Sequence, residues 1–284
     1  MTTVKREVKW VKVDGCWTRM SIMSMNNPLD TSTSASDKKK VRINVLMIPG
    51  NCGNESFYEK LGREFLPLIS SKDREVYFYT VSHLNHVEVP KHLRHTGKYP
   101  PHRCISLEEQ IMHKEDFCKE YLPKDGKLFV FSHSIGCYIA LRLLPFLLQN
   151  KWDVGMVYTM YPVIERMEET QNGKILKPIG NIRDFDPRLI QHEPYITFYY
   201  GYNDAWTHEN AGEDMKKRLS RPDRVIFDEH RCDHVIVFKD NEKIAKVMAE
   251  WVNSYMDPLI RIILPRISRK MRRRRSRRFA NFFL

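Results

Sequence analysis

The segment that most constrains this chain is Phe131-Ser132-His133-Ser134-Ile135-Gly136. Before it, Lys127-Leu128-Phe129-Val130-Phe131 is short, apolar and β-prone, and reads as a buried strand. After it, Tyr138-Ile139-Ala140-Leu141-Arg142-Leu143-Leu144 reads as a helix. Ser134 therefore falls on a tight strand-to-helix turn. Such a turn lifts a serine hydroxyl above a sheet and aims a helix N-terminus at it. Gly136 lets helix and strand approach closely. Ser132 stands where the usual pattern has a first glycine. The plainer reading of Ser134 is a helix N-cap.

A serine nucleophile needs a base and a group that orients the base. In a fold with this turn the chain order is serine, acid, histidine. Tyr195-Ile196-Thr197-Phe198-Tyr199-Tyr200 reads as a buried strand, and Asp204 follows it within Gly201-Tyr202-Asn203-Asp204-Ala205-Trp206. Arg224-Val225-Ile226-Phe227-Asp228 reads as the next strand, and His234 lies in the loop beyond. One helix, near Ala211 to Leu219, fits between them as the crossover that parallel strands require. Both loops then return to the same sheet edge as Ser134. Asp204 is expected to orient His234, and His234 to take the proton of Ser134. Asn-Asp is also good turn chemistry, so a plain turn aspartate is the alternative for Asp204. His230 and His208 are rivals for the base. Asp233 should point away from its neighbour, and His133 should shape the pocket.

Val45-Leu46-Met47-Ile48 reads as an earlier strand running into Pro49-Gly50-Asn51-Cys52-Gly53-Asn54, with a helix expected from Ser56 to Phe65. An oxyanion hole would combine the N–H of Ile135 with one from this loop, for which Asn51 is the candidate. A plain glycine-rich turn is the alternative. No Gly-Lys-Ser/Thr follows, so the loop is not a P-loop. The loop His83-Leu84-Asn85-His86, after a strand at Val76 to Val81, could border the same pocket.

Length suits one α/β domain with embellishments. Residues 7–13 and 17–23 read as a hairpin, residues 26–40 as a polar loop, and residues 106–121 as an amphipathic helix with Leu107, Ile111, Phe117 and Tyr121 on its apolar side. Gly155 to Met160 reads as a strand, and residues 162–193 as a short, polar cap. No stretch approaches the roughly 18 apolar residues of a membrane span, and the first residues carry no apolar signal core. Six scattered cysteines suggest free thiols in a reducing compartment. No metal signature and no cofactor motif appears. The net charge is +12. From Leu259 onward there are ten Lys or Arg and no acid, so the remainder is close to neutral. The expected division is therefore a domain over 1–257 and a basic, aromatic-ended tail over 258–284. The bland reading of that tail is a solvated extension. The functional reading is attraction to anionic lipid, at roughly 1 kcal/mol per basic residue. Nucleic-acid binding has no accompanying fold signature and is disfavoured.

With these positions placed, the chain resembles the lipid droplet-associated hydrolases, a branch of the α/β-hydrolase superfamily. The resemblance spans roughly residues 41 to 256. It is carried by Ile48-Pro49-Gly50-Asn51-Cys52-Gly53 with Phe57-Tyr58, Gln110-Ile111-Met112-His113-Lys114, Pro123-Lys124-Asp125 and His133-Ser134-Ile135-Gly136. Tyr161-Pro162-Val163-Ile164-Glu165-Arg166-Met167, Asn172-Gly173, and Phe198-Tyr199-Tyr200-Gly201 with Asp204 and Trp206 complete it. It implies a mostly parallel sheet flanked by helices. It also implies a serine hydrolase of sterol or other neutral lipid esters at the lipid droplet and endoplasmic reticulum, with Ser134, Asp204 and His234 as its triad. Two departures stand out. Cys52 replaces a proline of the family loop, and the family's long hydrophobic insertion is nearly absent between Lys174 and Gln191. The competing expectation is a catalytically weak scaffold of the same fold that binds lipid surfaces or proteins. A peptidase or thioesterase on the same core is a third.

Overall fold

The central strands of this chain are apolar on both sides because both faces of the sheet are covered. A computed structural model describes residues 3–25, 40–71, 73–100, 103–174, 182, 184–202 and 204–257. Residues 26–39 of the polar loop expected at 26–40, residues 175–181 and 183 of the cap expected at 162–193, and the tail 258–284 lie outside the described residues. Among the described residues eight strands form one sheet: β1 (Lys5–Val13), β2 (Cys16–Ser24), β3 (Val41–Ile48), β4 (Arg74–Val81), β5 (Lys127–His133), β6 (Asp153–Met160), β7 (Ile196–Tyr200) and β8 (Val225–Phe227). Their spatial order is β1-β2-β4-β3-β5-β6-β7-β8. The β1–β2 hairpin is antiparallel, as is its junction with β4, and every other pairing is parallel.

Alternation along each central strand feeds two cores. In β5, Leu128 and Val130 point to one face while Phe129 and Phe131 point to the other. The first face is covered by α2 (Leu107–Tyr121), α3 (Ile135–Gln149) and α4 (Ala211–Arg218), through side chains such as Phe117, Leu143 and Met215. The second is covered by α1 (Glu59–Ile69) and α6 (Asn241–Met256), through Leu61, Phe65, Ile244 and Met248. A short helix, α5 (Ile236–Lys239), precedes α6. Ser106 and Glu109 begin α2 with a reciprocal capping box.

Several elements extend beyond their sequence signals. The strand expected at 45–48 begins at Val41, because Val41, Arg42 and Ile43 pair with the start of β4. The strand before Ser134 includes Ser132 and His133, which pair with Thr159 and Met160 of β6. The helix after it starts at Ile135 rather than Tyr138. The helix expected from Ser56 is a 3-10 turn over Glu55–Tyr58 followed by α1. Its first residue, Glu55, is fully buried and pairs with Arg6 at 2.7 Å and Arg19 at 3.1 Å, which ties the hairpin to the loop after β3.

The start of α3 lies directly against the end of β3. A Cβ built on Gly136 would sit 2.2 Å from the Pro49 carbonyl oxygen and 2.6 Å from that of Ile48. Both obstacles are backbone, so they cannot rotate away. Gly136→Ala should therefore destabilise the fold by about 1–3 kcal/mol or more. Thermal or urea denaturation beside wild type checks this, and an unchanged transition would refute the tight approach.

Candidate active site

The carboxyl ends of β3, β5, β7 and β8 open onto one edge of the sheet, and the polar residues singled out in the sequence gather there. Ser134 has φ 55° and ψ −126°, a conformation unusual for a residue with a Cβ. Neighbouring backbone holds it in place. Its N–H donates to Met160 O at 3.0 Å, and its carbonyl accepts from Cys137 N–H at 3.0 Å and Val163 N–H at 3.2 Å. The side chain thus stands clear of both strand and helix, and the residue remains 7% exposed.

His234 and Asp204 meet Ser134 in line. Ser134 Oγ lies 2.9 Å from His234 Nε2, and His234 Nδ1 lies 2.7 Å from Asp204 Oδ2. An aspartate carboxylate accepts only, so the proton between them sits on Nδ1. That leaves Nε2 free to accept from the serine hydroxyl. The other Asp204 oxygen accepts the Trp206 N–H at 2.8 Å, which sets the carboxylate plane. The Trp206 ring stacks on the His234 ring at 5.7 Å, and the Tyr161 ring meets it edge-on at 5.9 Å. Both nitrogens of the imidazole are therefore committed, and one face is covered by an indole.

The rivals are occupied elsewhere. His208 lies against Glu165, at 3.6 Å. The His230 N–H donates to Asp228, and its ring is exposed. The Asp233 carboxylate accepts the Val235 N–H at 3.2 Å, away from His234. The His133 ring lies 5.3 Å from that of His234 but makes no bond to Ser134. Its Nε2–H donates to the His234 carbonyl at 2.7 Å, and its Nδ1 accepts from the Tyr58 hydroxyl at 2.9 Å. Burial and then the neighbouring His234 push its pKa down to about 3, so it is a neutral strut.

The loop after β3 reaches the serine. A Cβ on Gly50 would come within 3.1 Å of Ser134 Cβ. Gly50 to Gly53 is a turn closed by Gly53 N–H to Gly50 O at 2.8 Å, with Gly53 at φ 60°. The Gly50 N–H is taken by the Tyr58 hydroxyl at 2.7 Å. Asn51 is exposed at the tip of this turn. Ile135 is the first residue of α3, so its N–H has no acceptor within the helix. His83 also borders the loop: its Nε2–H donates to Pro49 O at 3.1 Å.

Two buried carboxylates shape the site without bonding to Ser134 or His234, and sequence reasoning missed both roles. Asp228, at the end of β8, is fully buried and accepts from Tyr199 at 2.6 Å, Tyr161 at 2.7 Å, His230 N–H at 2.8 Å and Cys232 N–H at 2.6 Å. Burial alone would raise its pKa, but these bonds outweigh it and hold the carboxyl below its ordinary range. It thereby folds the loop that carries His234. Glu165 pairs in bidentate fashion with Arg218 of α4 and also faces His208. Burial opposes its charge, yet His208 and Arg218 bring its pKa down to about 2. A run of Tyr and Asp at adjacent strand ends was the available signal for the first. For the second it was a lone glutamate within an apolar run.

A cleft of about 400 Å³ opens beside His234, lined by Asn172, Tyr202, Trp206, Arg231 and Cys232 among others. Among the described residues no group of three or more His, Cys, Asp or Glu could hold a metal ion. Nor is any helix long and apolar enough to cross a membrane. The arrangement can pass a proton from a serine hydroxyl to an imidazole whose opposite nitrogen is anchored by a carboxylate.

Comparison with known proteins gives likenesses at the level of family and fold. Residues 41–189 match the family of lipid-droplet associated hydrolases. The chain is 31% identical to the lipid droplet-associated hydrolase of Homo sapiens over 282 aligned residues, covering 75% of this chain and 85% of that protein. It is 23% identical to that of Mus musculus, covering 77% and 87%. Among solved structures, the peroxisomal alpha-beta-hydrolase Lpx1 of Saccharomyces cerevisiae superimposes with a TM-score of 0.57 at 11% identity, covering 100% of this chain and 99% of that one. At that identity the likeness establishes the fold, which is the α/β-hydrolase fold.

Asp228 gives a linkage prediction. Its folded pKa lies below the unfolded value, so its contribution is present above the unfolded carboxylate pKa and is lost as pH falls through the folded one. Asp228→Asn should lower stability at pH 7 by about 2–3 kcal/mol. Its deficit relative to wild type should shrink in acid, below the ordinary carboxylate range. Urea denaturation at pH 7 and near pH 3 measures both. An equal deficit at the two pH values would contradict a charged Asp228.

Proposed function

The chain belongs to the lipid-droplet associated hydrolase family, and from that premise we propose that it is a serine hydrolase of neutral lipid esters, sterol esters included. The observation that carries this reading is the unbroken line Ser134 Oγ–His234 Nε2–Nδ1–Asp204 Oδ2, at 2.9 and 2.7 Å, on a strained turn. In the proposed mechanism Ser134 Oγ attacks the ester carbonyl carbon while His234 Nε2 takes the hydroxyl proton. Asp204 keeps the other proton on Nδ1 and stabilises the imidazolium. The carbonyl oxygen becomes an oxyanion and accepts from the backbone N–H groups of Ile135 and Asn51. Each such donor is worth roughly 3–4 kcal/mol in comparable sites. Collapse expels the alkoxide, which receives the proton from His234. Water, deprotonated by the same imidazole, then attacks the acyl-serine, and His234 returns that proton to Ser134 Oγ as the carboxylic acid leaves.

The surroundings support an apolar substrate. The alcohol must leave past His234, and the cleft on that side is walled by the rings of Tyr202 and Trp206. Tyr202 is 64% exposed and Phe238 of α5 is 61% exposed. Phe238 packs edge-on against Phe57 beside the loop after β3. Exposed aromatics around such a mouth suit contact with a lipid surface, and the basic tail sequence suits anionic headgroups. The cytoplasmic face of the lipid droplet or endoplasmic reticulum is the location that fits both.

Fluorophosphonate labelling of the full chain tests the chemistry. Wild type should label, Ser134→Ala should not, and His234→Ala should label at least about a thousandfold more slowly. Asp204→Asn should slow it by up to about ten-thousandfold, because the wrong histidine tautomer is favoured. Folded wild type that takes no label would overturn the hydrolase reading in favour of a lipid-binding scaffold. Turnover of sterol and glycerol esters in emulsions then ranks substrates.

A further inference from the structure

Gln110 and Lys114 stand one helical turn apart on α2, both buried, on the face turned toward residues 82–84. Gln110 grips Leu84 twice. Its carboxamide oxygen accepts the Leu84 N–H at 2.9 Å, and its amide donates to the Leu84 carbonyl at 3.1 Å. Lys114 Nζ donates to the Ser82 carbonyl at 3.2 Å and to His113 Nδ1 at 2.8 Å. The His113 Nε2–H is then left to bond Thr18 Oγ1, at 2.8 Å. The polar residues of the α2 motif that carries part of the family resemblance, Gln110, His113 and Lys114, are thus buried in contacts within the fold.

That loop in turn grips the segment beside Ser134. The His83 N–H donates to Gly53 O at 2.7 Å, and the His83 ring donates to Pro49 O at 3.1 Å. The His86 ring fills the space beside Gly53. Peptide units are planar and trans, so holding a carbonyl also aims the N–H on the far side of the same unit. The Pro49–Gly50 unit is held at both ends, by His83 at its oxygen and Tyr58 at its nitrogen. The Gly50–Asn51 unit has its oxygen tied to the Gly53 N–H. The Asn51 N–H is therefore aimed the other way by bonds that trace back through His83 to α2.

We propose that His83 is the positioning residue of the oxyanion loop, supported from behind by Gln110 and Lys114. The proposal rests on the serine-hydrolase reading and adds to it the residues that orient the Asn51 amide. The chemistry of His83 favours this role over simple packing. Burial and then the neighbouring Lys114 hold its pKa well below the usual range, so the ring is neutral and has one N–H to give. That N–H goes to Pro49. Its other nitrogen, Nδ1, is buried and has no partner among the described residues. An apolar ring would avoid that penalty. What only the imidazole supplies here is the donor to the oxyanion loop.

The test compares wild type, His83→Leu and His83→Gln as full chains. Thermal unfolding, the fluorophosphonate labelling rate, and kcat and KM on a soluble short-chain nitrophenyl ester are measured for each. A positioning role predicts folded His83→Leu with labelling rate and kcat down about 10- to 100-fold and KM within about twofold. His83→Gln, whose amide reaches a similar point, should recover most of the rate. Wild-type kcat in folded His83→Leu overturns the proposal. Equal loss in His83→Gln and His83→Leu also overturns it, since that would mark a packing role. Should His83→Leu fail to fold, Gln110→Met decides: a fall in kcat at constant KM supports the relay, and an unchanged kcat overturns it. Labelled wild type beside equally labelled His83→Leu removes only the positioning role. Unlabelled wild type removes the hydrolase reading, and the positioning role with it.

Discussion

One buried chain of hydrogen bonds holds three distant segments in register, and the site depends on it. The Gly50 N–H donates to the Tyr58 hydroxyl, that hydroxyl donates to His133 Nδ1, and the His133 Nε2–H donates to the His234 carbonyl. The direction of every bond is forced. A carbonyl can only accept, so Nε2 must carry the proton of the neutral His133 ring, and Nδ1 must accept. The loop after β3, the serine turn and the histidine loop are tied together by side chains that are themselves buried. In a low-dielectric interior such a chain is favourable only when every member is satisfied. Misplacing one loop therefore strands polar atoms in the others.

Charge is used in the same way farther from the serine. Glu55, Glu165 and Asp228 are each buried, and each sits where a loop leaves the carboxyl end of the sheet. Glu55 joins the N-terminal hairpin to the loop after β3 through Arg6 and Arg19. Glu165 joins the segment after β6 to α4 through Arg218. Asp228 winds the histidine loop around its own carboxylate. Buried carboxylates are weak contributors to net stability but leave few alternatives for the segments that satisfy them. The scaffold under the loops is apolar and permissive. The loops are placed by polar groups that accept few arrangements.

The parts legible in the sequence were those with local signals. The short continuous apolar runs Val45 to Ile48 and Leu128 to Phe131 mark buried strands whatever surrounds them. The small residues around Ser134 mark a tight turn, and the order serine, acid, histidine follows from the chain. The boundaries were less legible. Ser132 and His133 carry no strand propensity of their own, and they extend β5 because β6 offers a ladder for them. Val41 and Arg42 likewise join β3 through pairing with β4. Gln110, His113 and Lys114 are polar residues on an amphipathic helix and would ordinarily face water. Gln110 and Lys114 are buried because the turn after β4 supplies the partners they need, and His113 because Thr18 and Lys114 do.

The sequence by itself determined the α/β class, the turn under Ser134 and the chain order serine, acid, histidine, because each depends on residue type and spacing along the chain. Tertiary structure alone decided which histidine meets the serine, which becomes a strut and which bonds the loop after β3. His133, His83, His208 and His230 differ from His234 in what lies across the fold from them, and no local pattern encodes a partner a hundred residues away. The physical reason is that an imidazole's role is set by the donor or acceptor facing each nitrogen, and only the packed sheet edge brings those groups together.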